Sequence, residues 1–219
     1  MGTNQRLSTL RQEAARQLIL ETGFQLFSEN TIEAITMADV AKAAGVGVAT
    51  VYRYFNTKQT LVLAVSAWIW KQYLDEALRS VDTRNATAAE RFGYYLDVFL
   101  SLYHSHKNVL RFNQFFNVYL GKEGAVSEEA AKPFAFLLED VLLPRFEALL
   151  RSAEEDHSMR TDVPAKKILL TSLHLMLAAV TRYAVGLVYT DGCDPEQELA
   201  ALKEMLMERY TITQRKTRS

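Results

Sequence analysis

The sequence predicts an all-α fold, and three observations support that prediction. Apolar residues recur three and four positions apart along almost the whole chain, which is the period of a helix face and not of a strand. Glycine (9) and proline (4) are scarce among the 219 residues. Ser, Thr, Asn and Asp residues stand just ahead of several apolar stretches, where helix N-caps are expected.

The composition is that of a globular protein without a disulfide framework. Hydrophobic residues make up 49% of the chain and charged residues 23%, which argues against disorder. The single cysteine, Cys193, excludes an intramolecular disulfide and favours a reducing environment. Because 25 Lys and Arg residues nearly balance 26 Asp and Glu residues, the chain is not a general polyanion-binding protein. Any contact with nucleic acid is expected to come from a local site.

One apolar stretch, 168–189, is long enough to cross a membrane. His174 and Arg182 interrupt it, and an arginine in the middle of a span costs about 2.5–3.5 kcal/mol on insertion scales. We therefore interpret the stretch as a helix buried in protein. The N-terminal residues show no apolar core of the signal-peptide type, so we expect a cytoplasmic protein.

Four helices are expected in the first third of the chain. The first spans 9–28. Thr36 and Asp39 have the spacing of a capping box and open a second helix, which Gly45 ends because glycine adopts the left-handed conformation without steric cost. A short third helix covers 47–55. The buried face of the first helix is expected to contain Ala15, Leu18, Ile19, Thr22, Leu26 and Phe27.

The rest of the chain is predicted to form longer helices. Asn56 is expected to cap a fourth helix that extends to about residue 80, and Asp162 is expected to cap a later one. Bends are expected near Pro133 and Pro144, because proline interrupts helical hydrogen bonding. The later helices are expected over 87–105, 107–120, 127–153, 162–189 and 195–210.

Residues 36–58, TMADVAKAAGVGVATVYRYFNTK, have the pattern of a helix-turn-helix. Ala41 is small where the two helices would cross, Gly45 suits the turn, and Val51 would fasten the second helix onto the first. In this motif the second helix enters the major groove of DNA with its first residues nearest the bases. The segment is therefore predicted to bind duplex DNA.

The side chains expected on the outer face of this second helix suit contact with DNA. Thr50, Tyr52 and Lys58 suit phosphate oxygens, which position a protein without reading sequence. Arg53 matches guanine O6 and N7, and Ala49 is short enough to approach a thymine methyl group. The candidate DNA-binding residues are Thr36, Gly47, Val48, Ala49, Thr50, Tyr52, Arg53, Asn56 and Lys58.

Two other classes of function compete with DNA binding. A helical adaptor for proteins could use the same paired helices, but its groove is expected to show apolar anchors. An enzyme is not indicated, because the chain has no phosphate-binding loop and no Gly-x-Ser-x-Gly motif. No metal site or cofactor is expected, since His104 and His106 point apart on one helix and His157, His174 and Cys193 are isolated.

The same segment resembles the N-terminal domain of the TetR family of bacterial transcriptional regulators. The resemblance covers about the first quarter of the chain. The family pattern is found here in the runs Gly23-Phe24-Gln25-Leu26-Phe27, Thr36…Val40-Ala41…Ala44-Gly45-Val46 and Tyr52-Arg53-Tyr54-Phe55…Lys58…Leu61.

The chain departs from the family pattern at three positions. Thr31 and Ala49 stand where the family usually has glycine, and Gly47 stands where it usually has serine. Thr31 bears on the shape of the loop after the first helix. Gly47 and Ala49 lie at the edge expected to face DNA, so they bear on which operator is read.

The resemblance implies a ligand-responsive transcriptional regulator, a repressor by family default, that binds a palindromic operator as a homodimer. It implies a helix-turn-helix DNA-binding domain over 1–56 and an effector-binding and dimerisation domain over 57–219. Tyr54 and Phe55 would tie the recognition helix to the first and fourth helices. A small effector bound in the larger domain would release the DNA.

The C-terminal region is expected to hold a hydrophobic effector among aromatic side chains and to dimerise through its last two helices. The alternative, that the apolar stripes of both helices pack inside one subunit, stays open. The candidate pocket residues are Trp68, Tyr95, Phe99, Tyr103, Phe112, Asn113, Phe116 and His174. The candidate dimer-interface residues are Leu169, Leu173, Met176, Val180, Tyr183, Leu199, Leu202 and Leu206.

Overall fold

The predicted all-α fold is confirmed by a computed structural model of the chain. It describes residues 2–81, 86–124, 128–186 and 194–212. This part of the chain forms no strand, and Met159 and Thr211 make an isolated antiparallel bridge. The elements are α1 (Gly2–Glu29), a 3₁₀ turn (Ile32–Ala34), α2 (Met37–Ala43), α3 (Val48–Tyr54), α4 (Lys58–Val81), α5 (Ala88–Ser105), α6 (Lys107–Glu123), α7 (Glu128–Phe136), a π-helical segment (Leu137–Leu142), α8 (Leu143–Asp156), α9 (Ala165–Ala184) and α10 (Pro195–Tyr210).

The chain divides into two compact units that share α4, α6 and α7. The first unit comprises Met1–Gln72 and Arg111–Pro133, and the second comprises Tyr73–Leu110 and Phe134–Ser219. The first unit therefore contains the predicted helix-turn-helix. A functional boundary at residue 56 stays a prediction, because the units are spatial groupings and their limits fall within α4, α6 and α7 instead.

The first unit packs α1 closely against the first half of α4. A Cβ atom placed on Gly23 would lie 3.0 Å from Cγ2 of Val65, so the two helices approach at a residue without a side chain. Ile19 and Phe27 are buried on the same helix. The expectation that Leu18 is buried is wrong, because 43% of it is exposed. Leu18 lies outside the buried stripe of α1, which includes Gly23 and Phe27.

The cap of α2 was predicted correctly, and two other caps were not. Thr36 and Asp39 form a reciprocal capping box at the start of α2. At α4 the cap is Thr57 and not Asn56, since the hydroxyl oxygen of Thr57 accepts from the backbone N–H of Thr60 at 3.0 Å. Asp162 does not cap α9, because its carboxylate accepts from Arg160 instead.

The second unit has its own core, formed where α5, α8, α9 and α10 meet. The ring of Phe92 lies edge-on to Phe146 at 6.3 Å and to Tyr210 at 5.9 Å between centroids. The start of α5 is fixed by Asp156, whose carboxylate accepts from the backbone N–H of Ala88 at 2.6 Å. The remaining buried side chains of this core include Leu96, Leu149, Leu169, Met176 and Leu206.

The bend predicted near Pro144 coincides with the π-helical segment that joins α7 to α8, and Pro144 stands in the first turn of α8. Pro133 lies within α7. The apolar stretch 168–189 forms most of α9, which ends at Ala184, and the residues after Gly186 lie outside the described part. Within the described residues, no helix has the length and apolar character needed to cross a membrane.

Gly45 is predicted to be required for the turn between α2 and α3. Its φ is +65° and no atom lies within 4 Å of the place that an added Cβ atom would occupy, so the cost of Gly45→Ala comes from the backbone alone. We expect a loss of about 1–2 kcal/mol in the free energy of unfolding, measured by urea denaturation. Gly121→Ala is the matched control, since Gly121 lies in α6 with equally open surroundings. It should be neutral or stabilise by about 0.5–1 kcal/mol; equal effects would contradict the prediction.

Candidate nucleic-acid interface

The α2–α3 pair has the geometry that the spacing predicted. Gly45 adopts the left-handed conformation, and the backbone N–H of Val46 donates to the carbonyl of Ala41 at 3.0 Å. Val40, Ala41 and Val51 are buried, with Val51 fully inaccessible to solvent. One face of α3 is therefore held against α2, and the opposite face is left outside.

The outer face of α3 carries most of the predicted DNA-binding residues. Tyr52 is 48% exposed and Val48 is 43% exposed. Their spacing of four residues places them one helical turn apart. Thr50 is half-buried. Also exposed are Thr36, Gly47, Ala49, Arg53 and Asn56. The structure thus leaves Val48, Ala49, Tyr52 and Arg53 exposed on α3, while the contacts of all the candidate residues with DNA stay predictions.

Two aromatic residues at the end of α3 fasten it to α1, as the resemblance implied. The hydroxyl of Tyr54 donates to the backbone carbonyl of Gln12 at 3.1 Å. Phe55 is buried, and the guanidinium carbon of Arg16 lies 5.5 Å from its ring centroid. The guanidinium of Arg53 lies 5.2 Å from the ring centroid of Tyr54, so the predicted base-reading side chain rests on a ring that is itself anchored.

Lys58, which is predicted to contact a phosphate, already makes contacts within the first unit. Its ammonium donates to the backbone carbonyl of Glu33 at 3.1 Å and lies 5.9 Å from the ring centroid of Tyr119. Partial burial lowers the pKa of Lys58, and the nearby charges of Glu33, Glu123 and Asp39 oppose that shift. To contact a phosphate, the ammonium of Lys58 would have to give up its hydrogen bond to the Glu33 carbonyl.

Thr36 serves first as a helix cap. Its hydroxyl donates to the Asp39 carboxylate at 2.6 Å, and its oxygen accepts from the backbone N–H of Asp39 at 3.1 Å. These bonds from the side chain and backbone of Thr36 lower the pKa of Asp39. Thr36 fixes the start of α2, so a DNA contact by its side chain would be additional to this structural role.

The candidate pocket residues are divided between the two units. Trp68, Phe112, Asn113 and Phe116 belong to the first unit, whereas Tyr95, Phe99, Tyr103 and His174 belong to the second. Phe112 packs in a core, with its ring 5.7 Å from that of Phe24. The expectation that His174 is an interior or pocket residue is wrong, because its side chain is exposed on α9.

The second unit contains a cavity of about 800 Å³. Tyr95 is the candidate pocket residue that lines it. Sequence reasoning missed its three arginines, Arg79, Arg91 and Arg145, because they stand far apart in the chain and each has the pattern of an ordinary surface cation. The other lining residues are Leu74, Asp75, Leu78, Val81 and Ala148. The other candidate pocket residues do not line this cavity.

Most of the predicted dimer-interface residues are buried within the subunit. Leu169, Met176, Val180, Leu199 and Leu206 are at most 4% exposed. They cannot present a surface to a second copy, and the alternative that the stripes pack internally is correct for them. Leu173, Tyr183 and Leu202 are half-buried.

The outward face of the last two helices carries other apolar residues. Leu175 is 39% exposed on α9, and Met205 is 61% exposed on α10. Ala178, three residues after Leu175, and Ala201, four residues before Met205, are also exposed. The helical periodicity places these residues on the sides of α9 and α10 that lie opposite the buried stripes.

The described residues contain no group of three His, Cys, Asp or Glu side chains that could hold a metal ion. His104 is engaged with Glu196 at 2.8 Å. Cys193 lies outside the described residues.

The buried seam between α2 and α3, the left-handed glycine and the exposed face of α3 define a helix-turn-helix DNA-binding domain. Residues 19–65 match the family model described as bacterial regulatory proteins, tetR family. A 55-residue stretch is 42% identical to an uncharacterised HTH-type transcriptional regulator of Mycobacterium tuberculosis, covering 25% of this chain and 27% of that protein. The helix-turn-helix segment of this chain is therefore similar to that of the TetR family.

Solved structures extend the similarity of fold to nearly the whole chain. A transcriptional regulator from Saccharomonospora viridis in complex with choline superposes with a TM-score of 0.69 at 18% identity, covering 91% of this chain and 99% of that one. FadR from Bacillus subtilis in complex with stearoyl-CoA has a TM-score of 0.66 at 16% identity, covering 87% and 97%. At these identities the likeness concerns the fold, whereas the sequence match spans about a quarter of the curated relative.

The capping box of α2 is predicted to make the domain sensitive to acid. Because folding lowers the pKa of Asp39, its carboxylate contributes stability above its ordinary pKa of 3.8, and this contribution is lost as pH falls through the lower folded-state value. Asp39→Asn should therefore reduce the free energy of unfolding at pH 7, and the difference from the parent protein should begin to shrink only below pH 3.8 and vanish at a pH below the folded-state pKa of Asp39.

Urea denaturation at a series of pH values measures this difference. Glu155→Gln, an exposed change near the end of α8, is the control and should leave the pH profile in place. A deficit of Asp39→Asn that is the same at every pH would contradict the role of the ionised carboxylate.

Proposed function

We propose that the chain is a cytoplasmic, ligand-responsive transcriptional repressor that binds a palindromic DNA operator as a homodimer. The single observation that carries the proposal is the outer face of α3. Tyr52, Arg53 and Ala49 are exposed there, while Val51 on the same helix is fully buried. A protein-binding adaptor would be expected to expose large apolar anchors at this place. This face instead joins the cation of Arg53 and the hydroxyl groups of Thr50 and Tyr52 to the small side chains of Val48 and Ala49.

The proposed contacts divide into two kinds. Tyr52 and Thr50 bind phosphate oxygens and set the position of α3 along the duplex. Arg53 reads base edges in the major groove, where a guanidinium matches guanine O6 and N7. Val48 and Ala49 allow close approach of the helix start to the bases. The near-neutral net charge of −1 is compatible with this, because a few local contacts supply the salt-dependent affinity.

We propose that the homodimer forms through the outward faces of α9 and α10. Leu175 and Met205 are exposed there. The exposed positions of α9 also include Lys167 and His174, and those of α10 include Glu204 and Glu208. Packing α9 of one copy against α10 of the other would pair unlike charges around the apolar residues, and such a contact is self-complementary about a two-fold axis.

The effector part of the proposal rests on the cavity of the second unit and on the continuity of α4. Leu74 and Leu78 line the cavity, and the same helix begins at Lys58, four residues after α3 ends at Tyr54. The neighbours from S. viridis and B. subtilis were solved with choline and stearoyl-CoA bound. A ligand that binds the released conformation about 10–100-fold better supplies a coupling of ~1–3 kcal/mol, which is enough to change operator occupancy.

Tyr52→Ala and Arg53→Ala are expected to weaken DNA binding in different ways. The operator is first obtained by selecting bound duplexes from a random pool. Tyr52→Ala should weaken binding to operator and random duplex alike, because it removes a phosphate contact. Arg53→Ala should cost about 1–3 kcal/mol at particular base pairs and relax the preference there. Fluorescence anisotropy at several salt concentrations measures both.

Arg151→Ala, an exposed arginine on α8, is the matched control and should bind as the parent protein does. Equal losses for Tyr52→Ala and Arg53→Ala on operator and random DNA would contradict the division of contacts. Salt-independent binding, or none to any duplex, would favour the adaptor.

Leu175→Glu and Met205→Glu are expected to dissociate the dimer, because each places a carboxylate in an apolar contact. Sedimentation velocity over a concentration series should show a rise in the dimer dissociation constant of at least about tenfold, which corresponds to ~1.4 kcal/mol. Val118→Glu on α6, where Val118 is similarly exposed, is the control and should leave the dimer intact. A parent protein that sediments as a monomer at all concentrations would contradict the interface.

A further inference from the structure

We propose that the cavity of the second unit binds an amphipathic organic anion, with a carboxylate or phosphate headgroup on its arginines and an apolar body against its leucines. As an effector site this rests on the function proposed above. As a binding site it stands on the cavity alone. It replaces the hydrophobic, aromatic ligand that the sequence favoured with a ligand of a different chemical class.

The charge of the cavity lining is the first argument. Arg79, Arg91 and Arg145 line it, and Asp75 is the acidic residue among the lining side chains. Arginine is always protonated and binds carboxylate or phosphate through paired N–H donors. Even with Asp75 ionised, the lining carries an excess of positive charge, so the cavity favours an anion over a neutral or cationic ligand.

Arg91 supplies the second argument. Its Nε atom is buried, and it has no hydrogen-bond partner within the described chain. Arg91 acts electrostatically on Asp156, whose carboxylate is already engaged with Ser158 and with the backbone N–H of Ala88. A buried donor without an acceptor costs about 1–3 kcal/mol, and an anion that drew Nε of Arg91 toward the cavity would remove that cost.

The other two arginines are positioned by their own helices. Nε of Arg79 donates to the carbonyl of Asp75 at 2.7 Å. A terminal nitrogen of Arg145 donates to the carbonyl of Val141 at 2.5 Å. Each of these bonds uses one of the five N–H groups of a guanidinium. The bonds hold the side chains at the cavity while leaving donor capacity for an anion.

The remaining lining suits an apolar body. Leu78 and Val81 are almost fully buried, and Leu74 is half-buried. The ring of Tyr95 is stacked on Phe146 with centroids 5.1 Å apart, so it is a fixed wall. A volume of about 800 Å³ is within the ~300–1,000 Å³ common for small-molecule sites. Since quaternary ammonium groups are recognised by cages of several aromatic rings, a lining with one aromatic residue does not suit a cation.

The test compares ligands with one tail and different headgroups. Decanoate, decyl phosphate, decan-1-ol and decyltrimethylammonium are titrated into the full chain by calorimetry, below their micelle concentrations and without DNA. We expect at least one anion to bind about tenfold or more tightly than the alcohol, and the ammonium to bind most weakly. An alcohol or ammonium that binds as well as both anions, or no binding of either anion, overturns the proposal.

Variants locate the headgroup. Arg91→Met and Arg145→Met should each weaken binding of the preferred anion by about 10- to 100-fold and leave the alcohol unchanged. Arg145 is exposed, so its replacement leaves the fold in place even if Arg91→Met does not. Arg151→Met on the same helix, outside the cavity, is the control. Equal loss in Arg145→Met and Arg151→Met overturns the assignment.

This titration, combined with the fluorescence anisotropy assay of DNA binding, separates this inference from the proposed regulatory function. Anion binding that depends on the arginines, in a protein that does not bind duplex DNA, supports the cavity site and contradicts the repressor. DNA binding that persists when the anion saturates the cavity supports the site and contradicts its effector role. DNA binding with no anion binding supports the DNA-binding role and overturns the site.

Discussion

The burial of the inner face of α3 is the constraint on which the DNA-binding surface depends. Val51 and Phe55 are almost completely removed from solvent, and each contributes about 1.5–3 kcal/mol relative to an exposed side chain. A rotation of α3 about its axis would expose both. The helix therefore has one available orientation, and in that orientation Tyr52 and Arg53 face solvent. The hydrogen bond from Tyr54 to the carbonyl of Gln12 adds a directional restraint to this apolar seam.

Polar contacts around Glu33 connect the turn before α2 to α4 and α6, two of the three helices that both units share. Lys58, the first residue of α4, donates to the Glu33 carbonyl, and Lys122 near the end of α6 pairs with the Glu33 carboxylate at 2.7 Å. The carboxylate is exposed, so the pair is screened by salt and contributes little stability. Its significance lies in position: the loop before α2 is tied to helices whose other ends belong to the second unit.

Local features were predictable from the sequence, and features that depend on distant contacts were not. The α2 capping box and the turn at Gly45 follow from residues within one or two turns of each other. The cap at Thr57 was missed because Asn56 is an equally suitable residue one position earlier. For Leu206 and Met205, periodicity defines the helix but not which side meets the rest of the subunit. Arg79, Arg91 and Arg145 lie on three different helices, and only the folded chain brings them to one cavity.

The π-helical segment between α7 and α8 sets which way α8 faces. Its hydrogen bonds join residues five positions apart instead of four. The segment therefore takes up an additional residue that, in a regular α-helix, would rotate the whole of the following helix about its axis. Arg145 and Phe146 follow within four residues of its end, one at the cavity and the other in the core. A homologue that lacks one residue there would close the same stretch as a regular α-helix and keep the same side chains of α8 facing inward.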